Sequence, residues 1–278
     1  MSLPAAGLSR ARYAGRARYG IQTLHAEWTK LRTVASTGWL LLGAAVLTTA
    51  VGTAADAAAT CSSSGCQVDS ARLSLTGVQV GQVIVAVLAV LAIGNEYSTS
   101  MIRVTLTAMP RRVTVLAAKA ALVAGLVLAA AAVAVLASVL AGRLILPGHG
   151  FTAAHGYPAP LSLGTGPVLR AACGSVLYLT LIALLSLGVA TAVRESAVAI
   201  GLILGLLYVF PVVTSVIANQ HWQRHLEQIG PMTAGLDIQA TVNLSGLPLT
   251  PWEGLGVLAL WAAGALILGA LMFRFRDA

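Results

Sequence analysis

Charged residues divide this chain into apolar intervals of similar length. Stretches free of Asp, Glu, Lys and Arg run between Arg32 and Asp56, Arg72 and Glu96, Lys119 and Arg143, Arg170 and Arg194, Glu195 and Arg224, and Glu253 and Arg274. Each holds about 20 to 28 residues, mostly Ala, Leu, Val, Ile and Gly, and about 20 helical residues cross the roughly 30 Å hydrocarbon core of a bilayer. The pattern predicts six transmembrane helices, at about 38–55, 73–93, 113–140, 171–193, 197–218 and 255–273. A seventh interval, Arg143 to Arg170, contains Pro147, Pro158, Pro160, Pro167 and five glycines, so it reads as an extramembrane loop. Barrel strands alternate in polarity, whereas these runs are continuously apolar. The expected fold class is all-α.

The connections predict further elements. Residues 1–15 read as a disordered tail, and residues 16–278 as one transmembrane domain. From Arg16 to Thr33, Ile21, Leu24, Trp28 and Leu31 recur at spacings of three and four, with Arg18, Lys30 and Arg32 on other faces. That periodicity predicts an amphipathic helix along the membrane surface, with Trp28 at headgroup level. Only Arg194 and Glu195 separate the fourth and fifth spans, which form a tight hairpin. Between the fifth and sixth spans, HWQRHLEQI reads as a short helix and GLPLTPWEG as a turn, and the whole segment is long enough to fold back on the membrane face.

Composition supports lipid as the solvent: 58% of residues are hydrophobic and 9% charged, too little polar surface for a water-soluble globule. Placing the N-terminus in the cytoplasm puts thirteen of the 17 Lys and Arg residues inside and leaves Arg72, Arg143, Arg170 and Arg224 outside. The positive-inside rule then sets both termini in the cytoplasm, in an inner (cytoplasmic) membrane. The net charge of +8 is dispersed along the inner helix ends, which points to anionic lipid headgroups and not to nucleic acid. The first apolar run lies behind some 37 residues and is too long for a signal-peptide core, so it reads as a retained span. Cys61 and Cys66 share the first outer loop with four small residues between them, enough to close a small disulfide ring; the alternative is two unpaired thiols. Cys173 falls inside the fourth span and reads as a packing residue.

Candidate chemistry is sparse. Neither lysine, Lys30 or Lys119, follows a glycine-rich phosphate loop, so this chain is not expected to hydrolyse ATP. No charge interrupts the middle of a predicted span, where ion-coupled carriers keep one. Paired aspartates, a Ser/His pair or HExxH at membrane depth are missing as well, and no catalytic residue is assigned. His221 and His225 have a metal-capable spacing but no third ligand nearby in sequence, so no metal site is expected. Gly201 and Gly205 form a small-xxx-small face on the fifth span, suited to close helix packing within the chain or across a dimer. The most polar inner loop is GNEYSTSMIRVTLTAMPRR, residues 94–112; it reads either as a solvated connection that sets topology or as a docking element.

Two stretches resemble the permease subunits of type-2 ATP-binding-cassette (ABC) exporters, in the style of actinobacterial members. Glu27, Trp28, Lys30, Leu31 and Arg32 match the family's E-W-x-K-L-R entry segment, its interfacial connecting helix. Glu96, Tyr97, Ile102, Arg103, Thr105, Leu106, Pro110, Arg111 and Arg112 match its E-Y-x-x-x-x-I-R-x-T-L-x-x-x-P-R-R loop, with Ser100 where members often have glycine. The resemblance implies a six-span permease, two copies of which work with two cytoplasmic ABC ATPase subunits. It implies that ATP and Mg are bound by that partner and that no cofactor belongs to this chain. It further implies that Glu96, Tyr97, Arg103, Thr105, Pro110, Arg111 and Arg112 couple the permease to the ATPase, so that ATP drives export. The resemblance names no substrate; small-residue faces on the third, fourth and fifth spans read either as an apolar path suited to a hydrophobic substrate or as helix packing. Two other readings remain open at this level: a non-transporting membrane anchor, immunity or sensor protein, and a stand-alone carrier.

Overall fold

A computed structural model describes residues 29, 35–61, 68–98, 112–152, 161–162, 164–217 and 219–275. Among the described residues the chain is helical, without strands. Its elements are α1 (Ala35–Ala58), α2 (Ser70–Ser74), α3 (Val78–Ser98), α4 (Arg112–Ile145), α5 (Gly166–Val193), α6 (Ser196–Leu204), α7 (Phe210–Val216), α8 (Gln220–Ile229), α9 (Pro231–Leu236) and α10 (Pro251–Phe275). Six segments are long and apolar enough to cross a membrane, which makes this a multi-pass membrane protein. "Outer" below denotes the end that the charge bias assigns to the outside.

The spans fall where the charge intervals place them, with changes at their ends. The second is divided: Ser70–Ser74 forms a separate short helix capped by Asp69, and the spanning helix starts at Val78. The fifth carries a π-helical turn, Gly205–Val209, between α6 and α7. Pro211 explains that turn, because its ring excludes the carbonyl four residues back and removes a donor, and widening the preceding turn relieves both. Two charged residues lie further inside helices than their sequence positions suggest. Asp56 is fully buried near the end of α1 and accepts a 2.8 Å hydrogen bond from Ser74, and Lys119 is buried about two turns into α4. The long outer segment folds back as expected: Ala234, Gly235, Leu236, Ile238 and Gln239 are buried against α5 and α10.

Helix α5 is the centre of the bundle, packed by α3, α4 and α10. Small residues set how closely the helices approach. A Cβ at Gly188 of α5 would lie 2.5 Å from the Ala265 backbone of α10, and one at Gly77, before α3, would lie 1.8 Å from the Thr48 carbonyl oxygen of α1. Gly81, one turn on, faces the Thr48 side chain. The predicted small-xxx-small face at Gly201 and Gly205 meets nothing within 4 Å, so it makes no close packing inside the chain and stays open to lipid or a second copy.

These glycines make a direct test. Gly77→Ala should destabilise the purified chain by about 1–3 kcal/mol, because backbone rather than a flexible side chain stands in the way. Gly205→Ala should leave monomer stability unchanged or slightly raised. Thermal unfolding in detergent, followed by monodisperse fraction, checks the pair.

Candidate functional site

The inner loop that the sequence singles out lies mostly outside the described residues. Arg103, Thr105, Pro110 and Arg111, the side chains of Glu96 and Arg112, and the entry segment Glu27, Trp28, Lys30, Leu31 and Arg32 all fall there. The helix ends that frame the loop are described. Tyr97 ends α3 half-buried, with the Arg194 guanidinium 5.8 Å from its ring centre. Arg194 takes the left-handed conformation (φ 65°) that closes α5, its backbone N–H donating to the Ala190 carbonyl. Glu195 caps α6 by accepting from Val198 N–H, which explains the two-residue hairpin. Lys119 Nζ donates to the Ala92 carbonyl of α3 at 3.0 Å, tying α4 to α3 about two turns from the loop. The helices on either side of the loop are thereby joined to the bundle.

The second region was not singled out from sequence. Gln82 of α3 is fully buried and sits about one turn inside the outer end of its span. Its Nε2 donates to the Tyr208 hydroxyl at 3.0 Å and to Met232 Sδ at 3.4 Å, and its Oε1 accepts from the Tyr178 hydroxyl. Tyr208 in turn donates to the Gln79 carbonyl. One amide thus joins α3, α5, the π turn and α9, and each of its polar atoms has a partner, as burial away from water requires.

Around this network the outer segment is pinned by polar contacts. Asp69 caps α2 through Arg72 N–H at 3.1 Å and accepts from the Thr241 hydroxyl at 2.7 Å and from Val242 N–H at 3.2 Å. Gln239 Nε2 donates to Ser175 Oγ at 3.0 Å, and Arg170 donates to the Ala240 carbonyl. Cys61 is disulfide-bonded, and its N–H donates to the His149 carbonyl at 2.9 Å; Cys66 lies outside the described residues. His221 and His225 sit on α8 with ring centres 4.5 Å apart, edge to face.

Two recesses lie among the described residues, the smaller of them lined in part by Gln79 and Met232 of the network. One, of about 680 Å³, is almost wholly apolar and opens between α5, α6 and α10, lined by Leu185, Leu202, Leu206, Trp261 and Leu268. The other, of about 400 Å³, lies at the outer end and is lined by Arg72, Gln79, Glu227, Thr233 and Asp237 among apolar walls. Burial pushes the Asp237 carboxyl up from its ordinary 3.8 to about 6, opposed by the positive charge of Arg72 and reinforced by the negative charge of Glu227.

Two measurements test these assignments. Tyr178→Phe leaves the Gln82 oxygen without a donor and should cost about 1–3 kcal/mol, whereas Gln82→Leu combined with Tyr178→Phe should cost less than the two singles together. For Asp237, a raised carboxyl favours the neutral form in the folded chain, so its stability contribution falls as pH rises from about 4 to about 6. Asp237→Asn should therefore raise the unfolding temperature at pH 7.5, by up to about 3 kcal/mol in stability, with the difference gone below about pH 4.

No protein-family model matches the chain, and comparison with curated proteins finds no match.

Proposed function

We propose that this chain is the membrane permease of an ABC-type exporter of the cytoplasmic membrane, working as a dimer with a separate ATPase subunit that binds ATP and Mg. The observation that carries the reading is the segment Glu96 to Arg112, whose residues resemble the coupling loop of type-2 exporters and which joins two spanning helices. A coupling element must pass force from a cytoplasmic partner into the spans. The contact of Tyr97 with Arg194, and the bond from Lys119 to the Ala92 carbonyl, support that role, because they tie the two helices that flank the loop to their neighbours and so pass a displacement into the bundle. Six spans with few charges also favour a permease powered from outside over an ion-coupled carrier.

Dimerisation is supported by unused surface. The first and fifth spans expose Trp39, Leu42, Val46, Leu202, Val209 and Val212, and Gly201 and Gly205 leave room for close helix approach. The apolar recess beside Leu206 and Trp261 supports a hydrophobic substrate for the same system.

Purification of the tagged chain from its own host tests the proposal. A subunit with vanadate-sensitive ATPase activity should co-purify, and the Arg111→Glu, Arg112→Glu double variant should reduce its recovery at least tenfold while membrane insertion is unchanged. Recovery of correctly inserted wild-type chain with no nucleotide-binding subunit would count decisively against it.

A further inference from the structure

The outer recess contains a buried carboxylate that the fold answers only in part, through the positive charge of Arg72. Asp237 is 7% exposed and lines this space, and among the described residues it is the charges of Arg72 and Glu227, not a hydrogen-bond donor, that act on its carboxyl. Asp69, at the start of α2, shows how a structural carboxylate is met at this end of the fold: its oxygens receive Arg72 N–H, Val242 N–H and the Thr241 hydroxyl. A buried carboxylate without donors is costly, and a partner that brings donors and positive charge removes that cost.

The surroundings specify such a partner. The charged groups lining the recess are Asp237, Glu227 and Arg72, two negative and one positive, so it favours a cation over an anion. Glu227 is fixed on α8, its carboxylate accepting from Gln223 Nε2 at 3.1 Å and its backbone carbonyl from the Thr233 hydroxyl at 2.8 Å. Apart from Gln79 and Thr233, the remaining walls are apolar: Pro211, Met232, Leu236, Leu247 and Pro248. A volume of about 400 Å³ lies in the lower part of the usual small-ligand range of roughly 300–1,000 Å³.

We propose that this recess binds a small organic cation, its ammonium group against Asp237 and Glu227 and its apolar body against Pro211, Met232 and Leu236. An ammonium supplies three donors and a full charge to carboxylates that otherwise repel one another, and charge-assisted hydrogen bonds of this kind are the strong ones. The apolar walls select for a hydrocarbon or aromatic body over a bare inorganic ion, whose hydration shell they could not replace. This site stands on the outer recess alone and holds whether or not the chain works with an ATPase.

The test uses the full chain in lipid nanodiscs at pH 7.5. The probes are phenethylammonium, hexylammonium and cyclohexylmethylammonium, with 2-phenylethanol and 3-phenylpropanoate as controls of matched shape and different charge. At least one ammonium should bind saturably by calorimetry, with the alcohol at least tenfold weaker and the carboxylate silent. Asp237→Asn should weaken binding at least tenfold and Glu227→Gln about threefold, whereas Arg72→Gln should tighten it by removing a competing charge. Asp237→Asn is a sound probe because neutralising a buried carboxyl favours the fold, and unchanged monodispersity verifies it. Equal binding by the alcohol, indifference to Asp237→Asn, displacement of the ammonium by millimolar Ca²⁺ or Mg²⁺, or no saturable binding by any ammonium would each overturn the proposal.

Discussion

A bilayer offers a buried polar group no water, and the arrangement of this protein's outer half follows from how one amide meets that constraint. Gln82 is fully buried, so its oxygen and nitrogen must find partners in the chain. Tyr178, Tyr208 and Met232 supply them, from α5, the π turn and α9. Because the three come from different elements, satisfying Gln82 fixes where a spanning helix, a distorted turn and a folded-back outer helix stand relative to α3. Apolar packing between Ala, Leu and Val is tolerant of sliding; hydrogen bonds with defined directions are not. The network therefore specifies register where the surrounding surfaces are too uniform to do so.

The spans themselves were legible because charge and helix length are tied to bilayer thickness, and both can be counted. Residues 59–69 and 219–250 fall outside the spans for the same reason. Gln82, Tyr178 and Tyr208 escaped that count because they are uncharged. A test built on Asp, Glu, Lys and Arg passes over a neutral amide in an apolar run, although Gln79 and Gln82 three residues apart are a readable sign that one helix face needs partners. Asp237 escaped for another reason: its burial depends on α9 folding back, which no local pattern dictates.

Glycine pairs show the same limit. Gly201 and Gly205 have the spacing of a packing face but nothing packs there within the chain, whereas Gly77 and Gly81, with identical spacing, lie against Thr48 of the first span. The motif reports that close approach is possible, and the tertiary arrangement decides whether a helix arrives. Pro211 is intermediate: a proline in a span announces a distortion, but only the fold shows that a π turn absorbs it and that Tyr208 is carried within that turn.

That π turn is also where the two ends of the molecule meet mechanically. Gly205–Val209 holds one residue more than a regular turn, and moving such a bulge along the helix by one position rotates the intervening side chains by about 100°. For Tyr208 that rotation would withdraw its hydroxyl from both Gln82 and the Gln79 carbonyl, and it would shift Pro211, a wall of the outer recess. Helix α6, on the inner side of the turn, begins at the Arg194–Glu195 hairpin, and Arg194 contacts Tyr97 at the edge of the inner loop. The π turn thus contacts the recess side through Tyr208, and helix α6 connects it to the Arg194–Glu195 hairpin, where Arg194 meets Tyr97. Force applied at the inner loop would be expressed in this fold as a change of helix register and not as gradual bending, since packed interfaces hold alternative arrangements better than intermediate ones. Where a partner at the inner loop favours one register, linkage requires a ligand that favours the same register in the recess to strengthen that partner's binding by the same factor.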